Sequence, residues 1–207
     1  MSNQTIKKQY HFKLNNPIIT ESKNNNSKKK SRSICYQIKT ENQLMKCSRF
    51  YLMKDDKIIF MAKQKYDRIY IGEGETIHIS EKKTTNPTEI VRNCKGFNLI
   101  KIHDQEFTIK YLKYGEKFSV CLSFQHDGEE RSWIPKQTKD REILKGEFDH
   151  MPVKSKKNMI LQNQKNHPTF ILRKMKHHVY EVECHKEVNP IIAFSIGLSQ
   201  IIGPVPM

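Results

Sequence analysis

The sequence predicts a mainly β fold: a closed antiparallel β-barrel, of about twelve strands, around a central, buried, hydrophobic C-terminal α-helix. Three observations predict it. Short apolar-alternating segments succeed one another from Ser33 onward with no long helix between them, the pattern of antiparallel sheet. Their connections carry Gly, Pro, Asn and Asp, as in Gly72-Glu73-Gly74, Asn86-Pro87, His126-Asp127-Gly128 and Asn166-His167-Pro168, which are turn residues. One segment near the C-terminus reads as a helix that is apolar nearly all round.

That segment is Asn189 to Pro204. Asn189 is a suitable N-cap, and Pro190 fits the first helical position, where its missing N–H does no harm. Gly203 can take the left-handed closing conformation and Pro204 stops continuation. Between them Ile191, Ile192, Ala193, Phe194, Ile196, Leu198, Ile201 and Ile202 leave only a narrow polar stripe at Ser195 and Ser199, with Gln200 apart. A helix without a polar face must be surrounded. It is too short to span a bilayer, which needs roughly 20 apolar residues. A barrel closed around it supplies apolar walls and removes exposed sheet edges, whereas a sandwich would leave one helix flank wet. Its core positions are Ile192, Phe194, Ile196, Leu198 and Ile201.

The strands follow in order. Ile34, Tyr36 and Ile38 alternate with polar neighbours. Arg49 to Met53 and Ile58 to Ala62 flank Lys54-Asp55-Asp56-Lys57, a hairpin by its turn chemistry. Arg68 to Ile71, Thr76 to Ser80, Phe97 to His103, Phe107 to Tyr111 and Lys117 to Phe124 read likewise. So do Ile143 to Phe148, Asn158 to Gln162, Thr169 to Met175 and Val179 to His185.

The chain has 207 residues and a formal net charge of +15, enough length for one domain and a tail. Residues 1–50 hold eleven Lys/Arg and two Glu and contribute +9 of that charge. The Asn-, Lys- and Ser-rich run from Asn15 to Ser33 cannot bury enough apolar surface to order itself. The division is therefore a basic low-complexity tail or linker over 1–32 and a barrel domain over 33–207. Tyr10, Phe12 and Leu14 alternate within the tail, as a short strand or docking peptide would. Charge asymmetry of this kind points to an anionic partner: a phosphoinositide-bearing membrane, nucleic acid or an acidic protein. Five cysteines without CxxC spacing, no signal-like start and no long apolar run imply an intracellular protein with reduced thiols.

Ala193-Phe194-Ser195-Ile196-Gly197-Leu198-Ser199 resembles the Ala-Phe-x-Ile-x-Leu-Ser signature that ends the carboxy-terminal domain of tubby and tubby-like proteins. Ser155-Lys156-Lys157-Asn158-Met159 is similar to that family's Ser-x-Lys-Asn-Phe segment, with Phe148 and Trp133 before it in the family's order. Thr169-Phe170-Ile171-Leu172 with Val179-Tyr180-Glu181-Val182 looks like its last hairpin, and Arg49 to Ala62 like its opening one. The resemblance spans roughly Ser31 to Gly203 and implies a barrel threaded by its C-terminal helix. It implies a non-enzymatic adaptor that binds phosphatidylinositol 4,5-bisphosphate head groups at the plasma membrane, without a cofactor. Partners would be the anionic inner leaflet and membrane-protein cargo or trafficking machinery. The location would be cytoplasmic, peripheral at the plasma membrane or the cilium.

The family's head-group site has a Lys-x-Arg pair on one strand. Here Arg92 stands at the arginine position and Ile90 at the lysine position, while a further polar ligand position falls near Arg68. The expected head-group residues are Arg68, Arg92, Lys95, Lys63 and Lys65, with Lys82 and Lys83 as further charge. A bisphosphate needs several cations converging, which requires these strands to be neighbours. The Ile90 departure favours an alternative: a protein–protein or structural (ciliary) module that has lost specific lipid binding. Lys28-Lys29-Lys30-Ser31-Arg32 supports a third, a nuclear DNA-binding or transcriptional role, although few aromatics interleave with the charges for base stacking.

His177, His178, Cys184 and His185 are the one cluster of metal-ligand types. Strand alternation puts Cys184 with the apolar Tyr180 and Val182 and turns His185 the other way, so the expectation is no metal. Gly72-Glu73-Gly74-Glu75 is too short and acidic to cradle phosphate. No nucleophile–base arrangement or carboxylate pair stands out, so the expectation is no enzyme.

Overall fold

The computed structural model describes residues 33–42, 48–74, 88–93, 97–102, 105–114, 117–126, 129–136 and 152–204. They are mainly β, with one C-terminal helix. The strands are β1 (Ser33–Asn42), β2 (Ser48–Lys54), β3 (Lys57–Lys65), β4 (Arg68–Glu73), β5 (Thr88–Asn93) and β6 (Phe97–Ile102). They continue with β7 (Gln105–Tyr114), β8 (Lys117–His126), β9 (Glu129–Pro135), β10 (Met159–Gln162), β11 (Pro168–Lys176) and β12 (Val179–His185), and the helix is α1 (Pro190–Ile202). The expected strands over Thr76 to Ser80 and Ile143 to Phe148 lie outside the described residues, as do the tail and its Tyr10, Phe12 and Leu14.

Each strand pairs antiparallel with its sequence neighbour, and β1 pairs with both β2 and β12, so the pairing order closes on itself. The thinnest seam is β9 with β10, where only Leu161–Pro135 and Gln162–Ile134 pair.

Alternation sets the inner face. Tyr36 and Ile38 of β1, Phe50 and Leu52 of β2, Ile69 and Ile71 of β4, and Tyr180, Val182 and Cys184 of β12 are all buried, each two residues from the next as the pleat requires. Opposed inward residues stack across strands: Ile69 faces Ile90 and Ile90 faces Ile100.

The helix touches two groups of strands. Around Gly197 the near atoms are Ile38 of β1, Val182 of β12 and Leu172 of β11. Further along the helix Asn98 of β6 and Tyr111 of β7 reach Ser199, and the Val120 N–H of β8 donates to Gln200 Oε1 at 3.2 Å. All ten residues from Ile191 to Gln200 are buried. The expected polar stripe is itself enclosed, with Ser199 taking a hydrogen bond from Asn98 Nδ2 at 3.0 Å and Ser195 buried without a side-chain partner. Ile192, Phe194, Ile196 and Leu198 are core, whereas Ile201 is only half-buried and packs against it.

The helix ends follow their residues. Asn189 Oδ1 accepts from the Ile191 N–H at 2.9 Å, with Pro190 inside the first turn. Gly203 closes the other end, donating to the Ser199 carbonyl at 2.9 Å. Its φ of 81° and ψ of −179° differ from the left-handed helical values expected: this is an extended positive-φ region open essentially to glycine alone.

Candidate functional site

The strongest grouping of expected site residues lies on the outer face of β2, β3 and β4. In β3, Phe60 and Ala62 point inward, so Lys63 and Lys65 point out. In β4, Ile69 and Ile71 point inward, so Arg68 and Tyr70 point out. Register then places Lys65 directly opposite Arg68 and Lys63 between Tyr70 and Arg49. Residues opposite each other have Cβ atoms about 5 Å apart, where like charges repel. Four cations thus share one surface, and Arg49 is the member that sequence reasoning missed. Its signal was there in the alternation of Arg49 with Phe50, but its placement beside Lys63 depends on a hairpin register with a shift between Leu52 and Met53.

Three carboxylates adjoin the group: Glu89, Glu41, and Asp67 in the β3–β4 turn beside Arg68. Arg68 Nη1 meets Glu89 Oε1 at 2.8 Å, and this hydrogen bond pushes the guanidinium pKa further up. The pair is open to water and adds little stability. On the far flank Glu41 lies opposite Arg49 and accepts from the Tyr51 hydroxyl at 2.9 Å. Lys63 and Lys65 occupy the middle.

Arg92 does not join this surface. It shares parity with Ile90, which is fully buried between Ile69 and Ile100, and so it faces inward. Its Nη2 donates to the Gly203 carbonyl at 3.2 Å, and its Nε is buried without a partner. The Tyr111 hydroxyl donates toward the Ser199 and Gly203 carbonyls at 3.0 and 3.1 Å and accepts from Asn98 Nδ2 at 2.7 Å. Burial pushes the Tyr111 pKa up to about 12. Lys157 Nζ lies beside Gly203, and burial lowers its pKa. Arg92 and Lys157 therefore bring positive charge to the negative end of the helix dipole. The expected convergence of Arg92 with Arg68 fails because the two arginines take opposite faces of the sheet. Lys95, Lys82 and Lys83 lie outside the described residues.

A second charged group sits on the outer face of β11 and β12. Arg173, 2% exposed, donates from Nη1 to Glu181 at 2.8 Å and from Nη2 to Glu183 at 2.6 Å. Both its partners and its burial mark it as a structural tie.

The residues of metal-ligand type separate. Cys184 is buried on the inner face, and burial pushes its thiol up to about 12. His178 Nδ1 is hydrogen-bonded to Thr40 Oγ1 at 2.8 Å, and His185 points outward toward Glu187, 3.8 Å away. Among the described residues no three His, Cys, Asp or Glu side chains come together. No described helix is long and apolar enough to cross a membrane.

No model of a known protein family matches the chain, and no curated protein matches it either.

Proposed function

We propose that the protein is a tubby-like barrel, its helix lying on the barrel axis, that docks to anionic, phosphoinositide-bearing membrane as a non-enzymatic adaptor. The observation that carries this reading is the outward grouping of Arg49, Lys63, Lys65 and Arg68 on three adjacent strands. Two of its cross-strand pairs oppose like charges, a destabilising arrangement that a lipid phosphate relieves. Lysine supplies point charge and arginine paired donors to such phosphates. The closing strand order and the helix's contacts with β6–β8 and with β11, β12 and β1 support the barrel form. The basic tail adds attraction of about 1 kcal/mol per basic residue near an anionic surface. The site of action is the cytoplasmic face of the plasma membrane or the cilium.

Flotation with vesicles of phosphatidylcholine alone, with phosphatidylserine, and with phosphatidylinositol 4,5-bisphosphate tests this. Binding to the anionic vesicles only is expected, strongest with the bisphosphate. No binding to any of them would end the reading.

A second reading is favoured by Ile90 and Arg92. The inward Ile90 and the inward-facing Arg92 leave no outward Lys-x-Arg pair on β5, as in a protein–protein or structural module without a specific lipid site. Binding that follows total anionic charge and ignores bisphosphate content supports it. Tight, salt-sensitive binding to duplex DNA in preference to vesicles would favour the nuclear alternative.

A further inference from the structure

The β3–β4 turn carries a residue that the fold does not explain. Tyr66 is 79% exposed, against 45% for Val153 and 42% for Ile134, the other large exposed apolar side chains among the described residues. Its φ is +57°, strained for a bulky side chain. Other positive-φ turn positions hold Asp55, Asp56 and Asn166, the residue types that tolerate this conformation. His178 shares the conformation, but its ring is hydrogen-bonded to Thr40 and packs edge-on against His177. The Tyr66 backbone carbonyl accepts from Gln64 at 3.3 Å, yet its ring and hydroxyl have no partner among the described residues. An asparagine would close the same turn with less strain.

Lys65 and Arg68 are paired at the base of this two-residue turn, and Lys63 follows on the same outward face. An amphipathic ring projecting beside three cations, with Asp67 as its turn neighbour, has the make-up of a side chain that sits at lipid head-group level. A base-stacking surface would present several aromatic rings, and a protein-docking patch a contiguous apolar area. On this outward face Tyr51 and Tyr70 are half-buried, and Tyr66 is the ring that projects fully into solvent.

We infer that Tyr66 is an interfacial anchor: it enters the head-group layer of an anionic membrane while Lys63, Lys65 and Arg68 meet the phosphates, so the protein docks with the β3–β4 turn foremost. This rests on the membrane reading above and adds to it an orientation and a residue.

The full chain with Tyr66→Trp is mixed with vesicles of phosphatidylcholine, phosphatidylserine and phosphatidylinositol 4,5-bisphosphate, whose acyl chains are brominated near the head group. Flotation of the same mixtures is measured in parallel, and the unsubstituted protein gives the background of the buried Trp133. The expected result is a blue shift and quenching of the new tryptophan, with a fall in vesicle binding of at least about fivefold in Tyr66→Asn, as partial burial of one aromatic ring implies. Tyr66→Asn should melt no lower than the parent, which separates docking from folding. Normal flotation with an unquenched tryptophan, or with undiminished binding of Tyr66→Asn, would overturn the anchor and leave the membrane reading standing. Absence of flotation with anionic vesicles would overturn both.

Discussion

A methyl group on Gly197 would stand 2.5 Å from Ile38 Cδ1, so the helix and β1 touch through a glycine and the end of one isoleucine. Ile38 is fully buried, so turning its Cδ1 aside presses on a core packed close to crystal density. Gly197→Ala gains roughly 1 kcal/mol of helix propensity, but overpacking costs about 1–3 kcal/mol. The expected net effect is a loss of stability in denaturant melts. Ile38→Val removes the opposing methyl, so the double variant should recover, with a coupling of about 1 kcal/mol or more. Additive losses would mean that the two residues do not touch.

Arg92 is predicted to serve stability alone. Arg92→Met removes a charge-assisted hydrogen bond to the Gly203 carbonyl and should cost about 1–3 kcal/mol. Vesicle affinity, measured at a temperature where both proteins are folded, should be unchanged. A selective loss of bisphosphate binding would restore Arg92 to the head-group site.

Arg173 tests the outer tie. Arg173→Met strands Glu181 and Glu183 as uncompensated carboxylates of low exposure and should cost about 3–5 kcal/mol. Replacing Arg173, Glu181 and Glu183 together by Met, Leu and Leu should recover most of that loss in thermal melts, because no charge is left buried. A triple variant as unstable as the single one would show that the tie adds net stability of its own.

Alkaline pH should loosen the fold. Cys184, Tyr36 and Tyr111 have pKa values raised to about 12 in the folded protein, mainly by burial. The unfolded chain therefore releases these protons first. The stabilisation is fully present below the unfolded values of 9.0 for the thiol and 10.0 for the phenols, and it is lost as pH rises toward 12. Each such group removes up to about 1.4 kcal/mol per pH unit within its window. Lys157 acts in the opposite sense, since its pKa is lowered and its burial penalty fades as it deprotonates. Melting temperature should fall between pH 9 and 10 in the parent protein, and by less in Cys184→Val, which has no thiol to ionise. Equal falls would place Cys184 outside the cause.

Most of the scaffold could be read from local pattern. The helix bounds and the Asn189, Pro190 and Gly203 punctuation follow from capping chemistry, and β12 from strict alternation. Two strands were missed for physical reasons. In β5 only Ile90 is a strong inward apolar residue, and Pro87 precedes a polar opening. In β9, Glu129-Glu130-Arg131 opens the strand and Pro135 closes it, leaving Trp133 as its one buried apolar residue. The site was less legible than the scaffold. Lys63, Lys65 and Arg68 could be named from sequence, but their union with Arg49 depends on hairpin register. The inward turn of Arg92 depends on parity within a strand that local pattern did not show.

Charge placement, as distinct from charge quantity, is the central claim, and paired reversals test it most directly. Arg49→Glu with Lys63→Glu alters the proposed surface. Lys165→Glu with Lys186→Glu makes the same change in net charge in the β10–β11 and β12–α1 connections, at the end opposite the β3–β4 turn because the strands alternate in direction. Dissociation constants for vesicles containing phosphatidylinositol 4,5-bisphosphate should rise about thirtyfold or more for the first pair, at about 1 kcal/mol per basic residue removed, and less than about threefold for the second. Equal losses for the two pairs would contradict the account, because binding would then follow total charge and not the surface built by β2, β3 and β4.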